Sequence, residues 1–350
     1  MSVKVFIDGS SGTTGLRIAD RLAARPEIEL LSISAEGRKD VNERAKVINS
    51  ADLAFLCLPD AASKEVMPLL RPDVKVLDTS TAFRTDPAWD YGFPELNGQK
   101  EKIQRSYRVA VPGCYASGFI SIAQPLVELG LAPADYPFSC TGISGYSGGG
   151  KKMIAEYESP ARPAHSKLDA PKSYGLGLAH KHLPEMQKIS GLARTPAFVP
   201  VVCDYYSGMQ VLVPLDLKLA GTTAEAVAKG LAEYYKDGAT VKVHALNETL
   251  PENGLYSNAM AGSDRMELYL TVNAAGDQMM LVSLFDNLGK GSSGAAIQCM
   301  NLMLGLDEVV LRDCHSPVGP HNDNSEMKEK VPKMGNRYPF CSKKLLAELY

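Results

Sequence analysis

Apolar residues fall in short unbroken runs along the first third of the chain, with stretches of helical spacing between them. Residues 3–8, VKVFID, form the first run, the kind of strand that is buried on both faces of a parallel sheet. A glycine-rich turn follows, and apolar positions then recur at helical spacing over residues 16–24. The alternation continues with a strand at 29–34, a helix at 41–49, a strand at 52–58, a helix after Pro59-Asp60 and a short strand at 74–78. Strands and helices taking turns from the first residues predict an α/β fold built on a Rossmann-type doubly wound parallel sheet.

The rhythm changes after residue 113. Segments 138–144, 198–203, 210–219 and 267–273 read as longer strands, separated by loops rich in Gly, Ser and Lys. They predict a second, α+β domain with a mixed sheet. Residues 293–306 are apolar with helical spacing and are expected to pack back on the first domain. The predicted division is 1–113 with 287–306, then 114–286, then a polar, proline-punctuated tail over 307–350 that is expected to be mobile.

Composition narrows the function classes. A length of 350 residues leaves room for two cores. A net charge of −3 argues against bulk binding to nucleic acid or to an anionic membrane. No apolar run approaches the roughly 18 residues of a membrane span. The opening strand does not read as a secretory signal. Seven cysteines, an odd number without framework spacing, fit reduced thiols in a cytoplasm.

Against that background a few stretches carry chemistry. Val111-Pro112-Gly113-Cys114-Tyr115-Ala116-Ser117-Gly118 ends a short strand and opens an apolar helix. Cys114 is thereby placed at a helix N-terminus, where free amides and the helix dipole favour an anion. Its thiol is expected to ionise below the ordinary cysteine value of about 8.5. A buried structural cysteine is the alternative reading. The first loop, Gly9-Ser10-Ser11-Gly12-Thr13-Thr14-Gly15, has glycines at positions that let a backbone approach a pyrophosphate. It predicts a dinucleotide site. At the end of the second strand, Ser34, Arg38 and Lys39 favour the 2′-phosphate of NADP, while Glu36 would suit the ribose hydroxyls of NAD.

His180-Lys181-His182-Leu183-Pro184-Glu185 is the densest cluster. Glu185, three residues after His182, is expected to lie against that imidazole and raise its basicity. Proton transfer is the main reading and metal chelation by His-x-His the alternative, though no other clear ligand set accompanies it. His165 and His244 have no such context and read as incidental. The segment Gly142 to Lys152 offers many amides and hydroxyls for an anion but lacks the order of a phosphate-binding Walker loop. Asn287, before the last apolar helix, is a candidate partner for a nicotinamide carboxamide. A dinucleotide loop, a reactive cysteine and paired histidines together suggest thiolate attack on a carbonyl, with hydride exchanged at the same carbon.

The chain resembles the N-acetyl-gamma-glutamyl-phosphate reductase family, specifically its shorter members. The resemblance runs from residue 3 to about residue 306. It rests on FIDGSSGTTG, LCLPD, DTSTAFR, YGFPEL, VPGCYASG, GYSGGGK, YGLGLAHKHLPEM and DNLGKGSSGAAIQCMNLMLG, in that order. It implies NADPH-dependent reduction of N-acetyl-L-glutamyl 5-phosphate, a small acyl phosphate, to N-acetyl-L-glutamate 5-semialdehyde in arginine biosynthesis. It also implies a homodimer or homotetramer. Cys114 is implied as nucleophile. His180, His182 and Glu185 match a motif more often written HRHxPEI, and Tyr174 matches a tyrosine upstream of it. Either histidine can be the acid–base group on this reading: Glu185 favours His182, and Tyr174 is expected to orient His180. Gly9 to Thr14 and Asn287 are implied cofactor contacts. Gly145 to Gly149 is similar to a glycine-rich loop near the reacting centre. Arg84, Arg162 and Lys151 are candidates for the substrate's carboxylate or phosphate. Cys314, His315, His321 and Cys341 in the tail fit no zinc spacing well, and no metal is expected.

Overall fold

The computed structural model describes residues 2–309. The expected tail lies outside the described residues beyond that point. The first half alternates as the apolar runs predict: β1 (Val3–Asp8), α1 (Thr13–Ala23), β2 (Ile28–Leu31), α2 (Val41–Ser50), β3 (Leu53–Leu56), α3 (Asp60–Val66), β4 (Lys75–Asp78), β5 (Asp90–Tyr91), α4 (Gln99–Arg105), β6 (Arg108–Ala110) and α5 (Cys114–Glu128). The six strands form one wholly parallel sheet in the order β2-β1-β3-β4-β6-β5.

Both faces of this sheet are covered, which is why its strands are continuous apolar runs. Val5 and Ile7 of β1 point to one side, where they pack with Ile18 and Leu22 of α1 and Ile103 of α4. Phe6 points to the other side and packs with Ala45 and Ile48 of α2 and Val66 of α3. Helix α1 starts at Thr13, a turn earlier than its apolar spacing suggests. Gly12 serves as its extended N-cap, and the Leu16 amide donates to the Gly12 carbonyl. The two threonines therefore stand in the first turn, where amides lack partners in the helix.

The second half continues with β7 (Ser139–Gly145), α6 (Gly150–Tyr157), β8 (Lys172–Ser173), α7 (Leu183–Ile189), β9 (Ala197–Cys203), β10 (Met209–Asp216), α8 (Leu217–Ala220), α9 (Ala224–Tyr234), β11 (Val241–Leu246), β12 (Met266–Val272), β13 (Gln278–Phe285) and α10 (Gly294–Leu304). Its seven strands form a mixed sheet, β11-β12-β13-β10-β7-β9-β8. The strand expected to reach residue 219 stops at Asp216. There the carboxylate accepts the Leu219 amide and caps a short helix. Helix α10 packs Ala295, Ala296, Ile297 and Met300 against the first sheet's core, so the chain does return to it.

Helix α5 lies on the mixed sheet, and two details hold it there. Gly118 lets it approach closely: a Cβ at that position would stand 2.5 Å from Val211 and 2.9 Å from Phe285. Pro125 cannot donate to the Ser121 carbonyl, so the helix has a gap in its hydrogen bonds. The buried Tyr235 hydroxyl fills it, donating to that carbonyl at 2.8 Å. The helix that begins with Cys114 is thus fixed along its length.

Candidate active site

The glycine loop after β1 has the geometry a phosphate needs. Gly9 has φ +85°, and a Cβ there would stand 2.3 Å from the Cys57 carbonyl. A Cβ on Gly15 would stand 2.4 Å from the Gly9 carbonyl. The Gly12 amide donates to that carbonyl and closes the turn. A cavity of about 400 Å³ opens above it, lined by Gly12, Thr13, Thr14 and Gly15, with Thr79 and Lys151 opposite. Bare backbone, a helix N-terminus and a lysine fit a dinucleotide's phosphates. Gly9, Ser10 and Ser11 shape the turn but do not line the cavity. Ser34, Arg38 and Lys39 do not line it either. They lie exposed beyond β2 in and before the short turn Gly37–Lys39, where the Ser34 hydroxyl accepts the Gly37 amide. Among the described residues neither Arg38 nor Lys39 has an ion-pair partner.

Thr13, Thr14, Thr79 and Gly150 also line a second cavity, of about 360 Å³, so one cleft runs from the glycine loop to Cys114. This second cavity gathers Cys114, Tyr174, His180, Lys181, His182 and Asn287 from separate elements. Neither cavity is lined by an Asp or a Glu among the described residues.

Gly113 is the N-cap of α5 and lines the cleft beside Cys114. A Cβ on it would stand 2.5 Å from Arg84 Nη1, 2.5 Å from His182 Nε2 and 2.6 Å from Glu185 Oε1. The absence of a side chain is what lets these groups stand against the backbone beside Cys114. On the other side a Cβ on Gly291 would stand 3.0 Å from the Cys114 Cβ. Gly291 belongs to a π-helical turn, Gly289–Ser293. The neighbouring Lys290 is buried, with Nζ 2.6 Å from Glu95 Oε2 and 2.7 Å from Gln298 Oε1. Burial would raise the Glu95 carboxyl, but Lys290, Gln298 and Thr240 hold it below its ordinary value.

Glu185 is not the partner of His182. Its Oε1 accepts Arg84 Nη1 at 2.9 Å, and its Oε2 accepts the Tyr91 hydroxyl at 3.2 Å and the Gly113 amide at 3.3 Å. Arg84 also donates Nε to the Val111 carbonyl and Nη2 to the Thr79 carbonyl, both at 2.9 Å. A guanidinium outcompetes a neutral imidazole for a carboxylate. Burial still raises Glu185 above the ordinary carboxyl value, against Arg84, the Gly113 amide and Tyr91. Tyr174 makes no hydrogen bond to His180 either; its hydroxyl donates to that of Tyr115 at 3.4 Å, and its ring leans on the imidazole with centroids 6.1 Å apart. What orients His180 is the His182 backbone amide, which donates to His180 Nδ1 at 3.1 Å.

The electrostatics also differ from the local expectation. Cys114 does open α5, but burial pushes its thiol above the ordinary value, and the Tyr115 amide, Arg84 and Lys181 only partly offset this. Burial lowers His180 to about 4, with Lys181 acting in the same direction. His182 is lowered well below its usual range by burial and then by Arg84, His180 and Lys181. At neutral pH the resting site therefore holds a thiol and two neutral imidazoles, not a thiolate–imidazolium pair. His182 is the more deeply buried of the two, and its Nδ1 is enclosed without a hydrogen-bond partner among the described residues. The other thiol in the cleft, Cys57, is pushed up to about 12 by burial.

Some expected residues are committed elsewhere. Asn287 Oδ1 accepts the Gly208 amide and its Nδ2 donates to Ser147, so one amide hydrogen is left to meet a ligand. Arg162 is bound by Asp204 and Asp169 and lines neither cavity. His244 is buried, bridged between Glu248 and Glu267 and stacked on Tyr269, and lines neither cavity. Tyr91, Thr79 and the Lys290–Glu95 pair carry no signal in local spacing, because each acts through contacts distant along the chain.

Comparison with known proteins identifies the chain's domains and relatives. Residues 4–105 match the model of the semialdehyde dehydrogenase NAD binding domain. Residues 114–287 match that of the semialdehyde dehydrogenase dimerisation domain. The chain is 45% identical over 314 residues to an N-acetyl-gamma-glutamyl-phosphate reductase of Trichormus variabilis, covering 87% of this chain and 98% of that one. It is 44% identical over 305 residues to N-acetyl-gamma-glutamyl-phosphate reductase 2 of Pseudomonas putida, covering 86% and 96%. Among solved structures it shares its fold with aspartate semialdehyde dehydrogenase of Francisella tularensis, at TM-score 0.65, 14% identity and coverage of 86% and 100%. The Candida albicans aspartate semialdehyde dehydrogenase, solved with NADP, gives TM-score 0.58 at 15% identity, with coverage of 87% and 99%.

The geometry at Gly113 makes a direct prediction. Gly113→Ala displaces Arg84, His182 or Glu185 and lowers kcat/KM on the order of 100-fold, the effect of misplacing reacting groups by about 1 Å, while circular dichroism stays unchanged. Wild-type kinetics in that variant would contradict the account. The raised thiol makes a second prediction. Thiolate at Cys114 is scarcer at neutral pH than in a free cysteine, so iodoacetamide alkylation accelerates as pH rises beyond about 8.5. A rate already level at neutral pH would show a preformed thiolate instead.

Proposed function

The chain belongs to the N-acetyl-gamma-glutamyl-phosphate reductase family, and on that premise we propose a mechanism in which Cys114 is the nucleophile and His182 moves the proton. The observation that carries this reading is the convergence of His182, the Arg84–Glu185 pair and the N-terminus of α5 on Gly113, beside the thiol. The substrate is N-acetyl-L-glutamyl 5-phosphate, the product N-acetyl-L-glutamate 5-semialdehyde, and the setting arginine biosynthesis in the cytoplasm.

The Cys114 sulfur attacks the acyl carbon, and its proton passes to the neutral imidazole of His182. The carbon–oxygen bond to phosphate breaks, phosphate leaves with the electron pair and takes a proton from solvent to become hydrogen phosphate, and a thioester remains on Cys114. Amides in the first turn of α5 face the developing oxyanion, and donors of this kind are worth roughly 3–4 kcal/mol each in other enzymes. Gly12 to Gly15 would hold NADPH, which would supply the hydride that turns the thioester on Cys114 into a thiohemiacetal. His182 gives its proton to the new alkoxide and accepts it again as the carbon–sulfur bond breaks, releasing aldehyde and returning the proton to sulfur. His180, tied by the His182 amide, positions the turn. Glu185 holds Arg84 and Gly113 and takes no proton.

The division of labour follows the two sheets. Residues 1–113 with 287–306 hold NADP. Gly12 to Gly15 would hold its phosphates, and Ser34, Arg38 and Lys39, exposed beyond β2, would meet the 2′-phosphate. Residues 114–286 carry the substrate chemistry and the contacts between subunits of a homodimer or homotetramer. The half-buried Ile143, Val199, Val201 and Leu212 on the mixed sheet suit such a contact.

The reverse reaction tests the assignment. NADP reduction with N-acetylglutamate semialdehyde depends on added phosphate and exceeds the rate with aspartate semialdehyde. It is abolished in Cys114→Ser, which still binds NADPH. Faster turnover of aspartate semialdehyde, or wild-type hydride transfer in Cys114→Ser, would overturn it.

A further inference from the structure

We propose that Lys181 is the binding residue for the phosphate dianion of the substrate, and for inorganic phosphate in the reverse direction. This assignment rests on the reaction proposed above. In an acyl phosphate the leaving phosphate is one bond from the carbon that Cys114 attacks. Its binding group must therefore belong to the part of the cleft around the thiol. That cavity is lined by two basic side chains, Arg84 and Lys181, and by no carboxylate among the described residues.

The two cations differ in what they have left to give. Three of the five Arg84 N–H groups are committed, to the Val111 carbonyl, Glu185 and the Thr79 carbonyl, and its charge is paired with Glu185. It organises the wall of the cleft. Lys181 is exposed and makes no ion pair or side-chain hydrogen bond among the described residues, so all three of its N–H groups are free. Its backbone is fixed nonetheless. The bond from the His182 amide to His180 Nδ1 closes a three-residue turn, with Lys181 at the apex between the two imidazoles. The charge of Lys181 reaches Cys114, His180 and His182, the groups that handle the acyl carbon. It also reaches Asp60, a carboxylate already held by the amide and hydroxyl of Thr81. The remaining candidates belong elsewhere: Lys151 lines only the glycine-loop cavity and suits the dinucleotide, and Arg162 lines neither.

The test measures protection of Cys114 in the full-length enzyme. Iodoacetamide alkylation is followed at constant ionic strength with rising inorganic phosphate, using chloride as the control. Phosphate protects the wild type. In Lys181→Met the phosphate concentration for half-protection rises about tenfold or more, the loss expected for one charge-assisted hydrogen bond. Lys181→Arg restores it to within a few fold, and NADPH affinity is unchanged in both variants. No protection of the wild type, equal protection of Lys181→Met, or a parallel loss of NADPH affinity would overturn the assignment. If the wild type shows this pattern but does not turn over N-acetylglutamate semialdehyde, the phosphate site stands and the substrate reading falls.

Discussion

At Gly113 a guanidinium, a carboxylate and an imidazole meet a backbone that has no side chain to keep them away. Arg84 Nη1, His182 Nε2 and Glu185 Oε1 would all lie within 2.6 Å of a Cβ there. The residue is also the last before α5, so the same point fixes where the helix begins and where its first side chain, Cys114, stands. The buried Arg84–Glu185 pair joins the loop after β4 to the first turn of α7. The Glu185 bond to the Gly113 amide ties both to the helix that begins with Cys114. A buried pair with its remaining atoms satisfied sets geometry more than it adds stability. Here it sets the placement of His182 and of the helix that begins with Cys114.

The other side of Cys114 is held by a second buried pair. Lys290 and Glu95 bring the π-helical turn against the thiol's Cβ through Gly291. Glu95 also accepts Gln298 of α10 and Thr240 before β11. Parts of both sheets therefore meet behind Cys114. The cleft in front contrasts with this. Its charge is one-signed, with Arg84, Lys151 and Lys181 along its length and carboxylates kept behind the walls. Such a cleft concentrates anionic ligands, which suits a dinucleotide at one end and an acyl phosphate at the other.

Much of this was legible in the sequence where a signal is local. The parallel sheet follows from apolar runs such as residues 3–8, since strands buried on both faces need no alternation. The glycine loop and the start of α5 were readable because turns and helix starts depend on neighbours in the chain. Local reasoning failed where distant partners decide. Spacing placed Glu185 against His182, but Arg84, 101 residues away in sequence, takes the carboxylate. A helix N-terminus argued for an acidic thiol at Cys114, and burial by the surrounding cleft outweighs it. Asp216 ends its strand early by capping a helix that the apolar run alone did not announce.

The central claim is that the acyl group passes through a covalent bond to Cys114. The most direct measurement mixes the enzyme with N-acetylglutamyl phosphate in the absence of NADPH, quenches in acid and maps the peptides by mass spectrometry. The account predicts one equivalent of phosphate released per active site and an N-acetylglutamyl adduct confined to the Cys114 peptide. An enzyme that turns over with NADPH but gives neither the phosphate burst nor the adduct would contradict it.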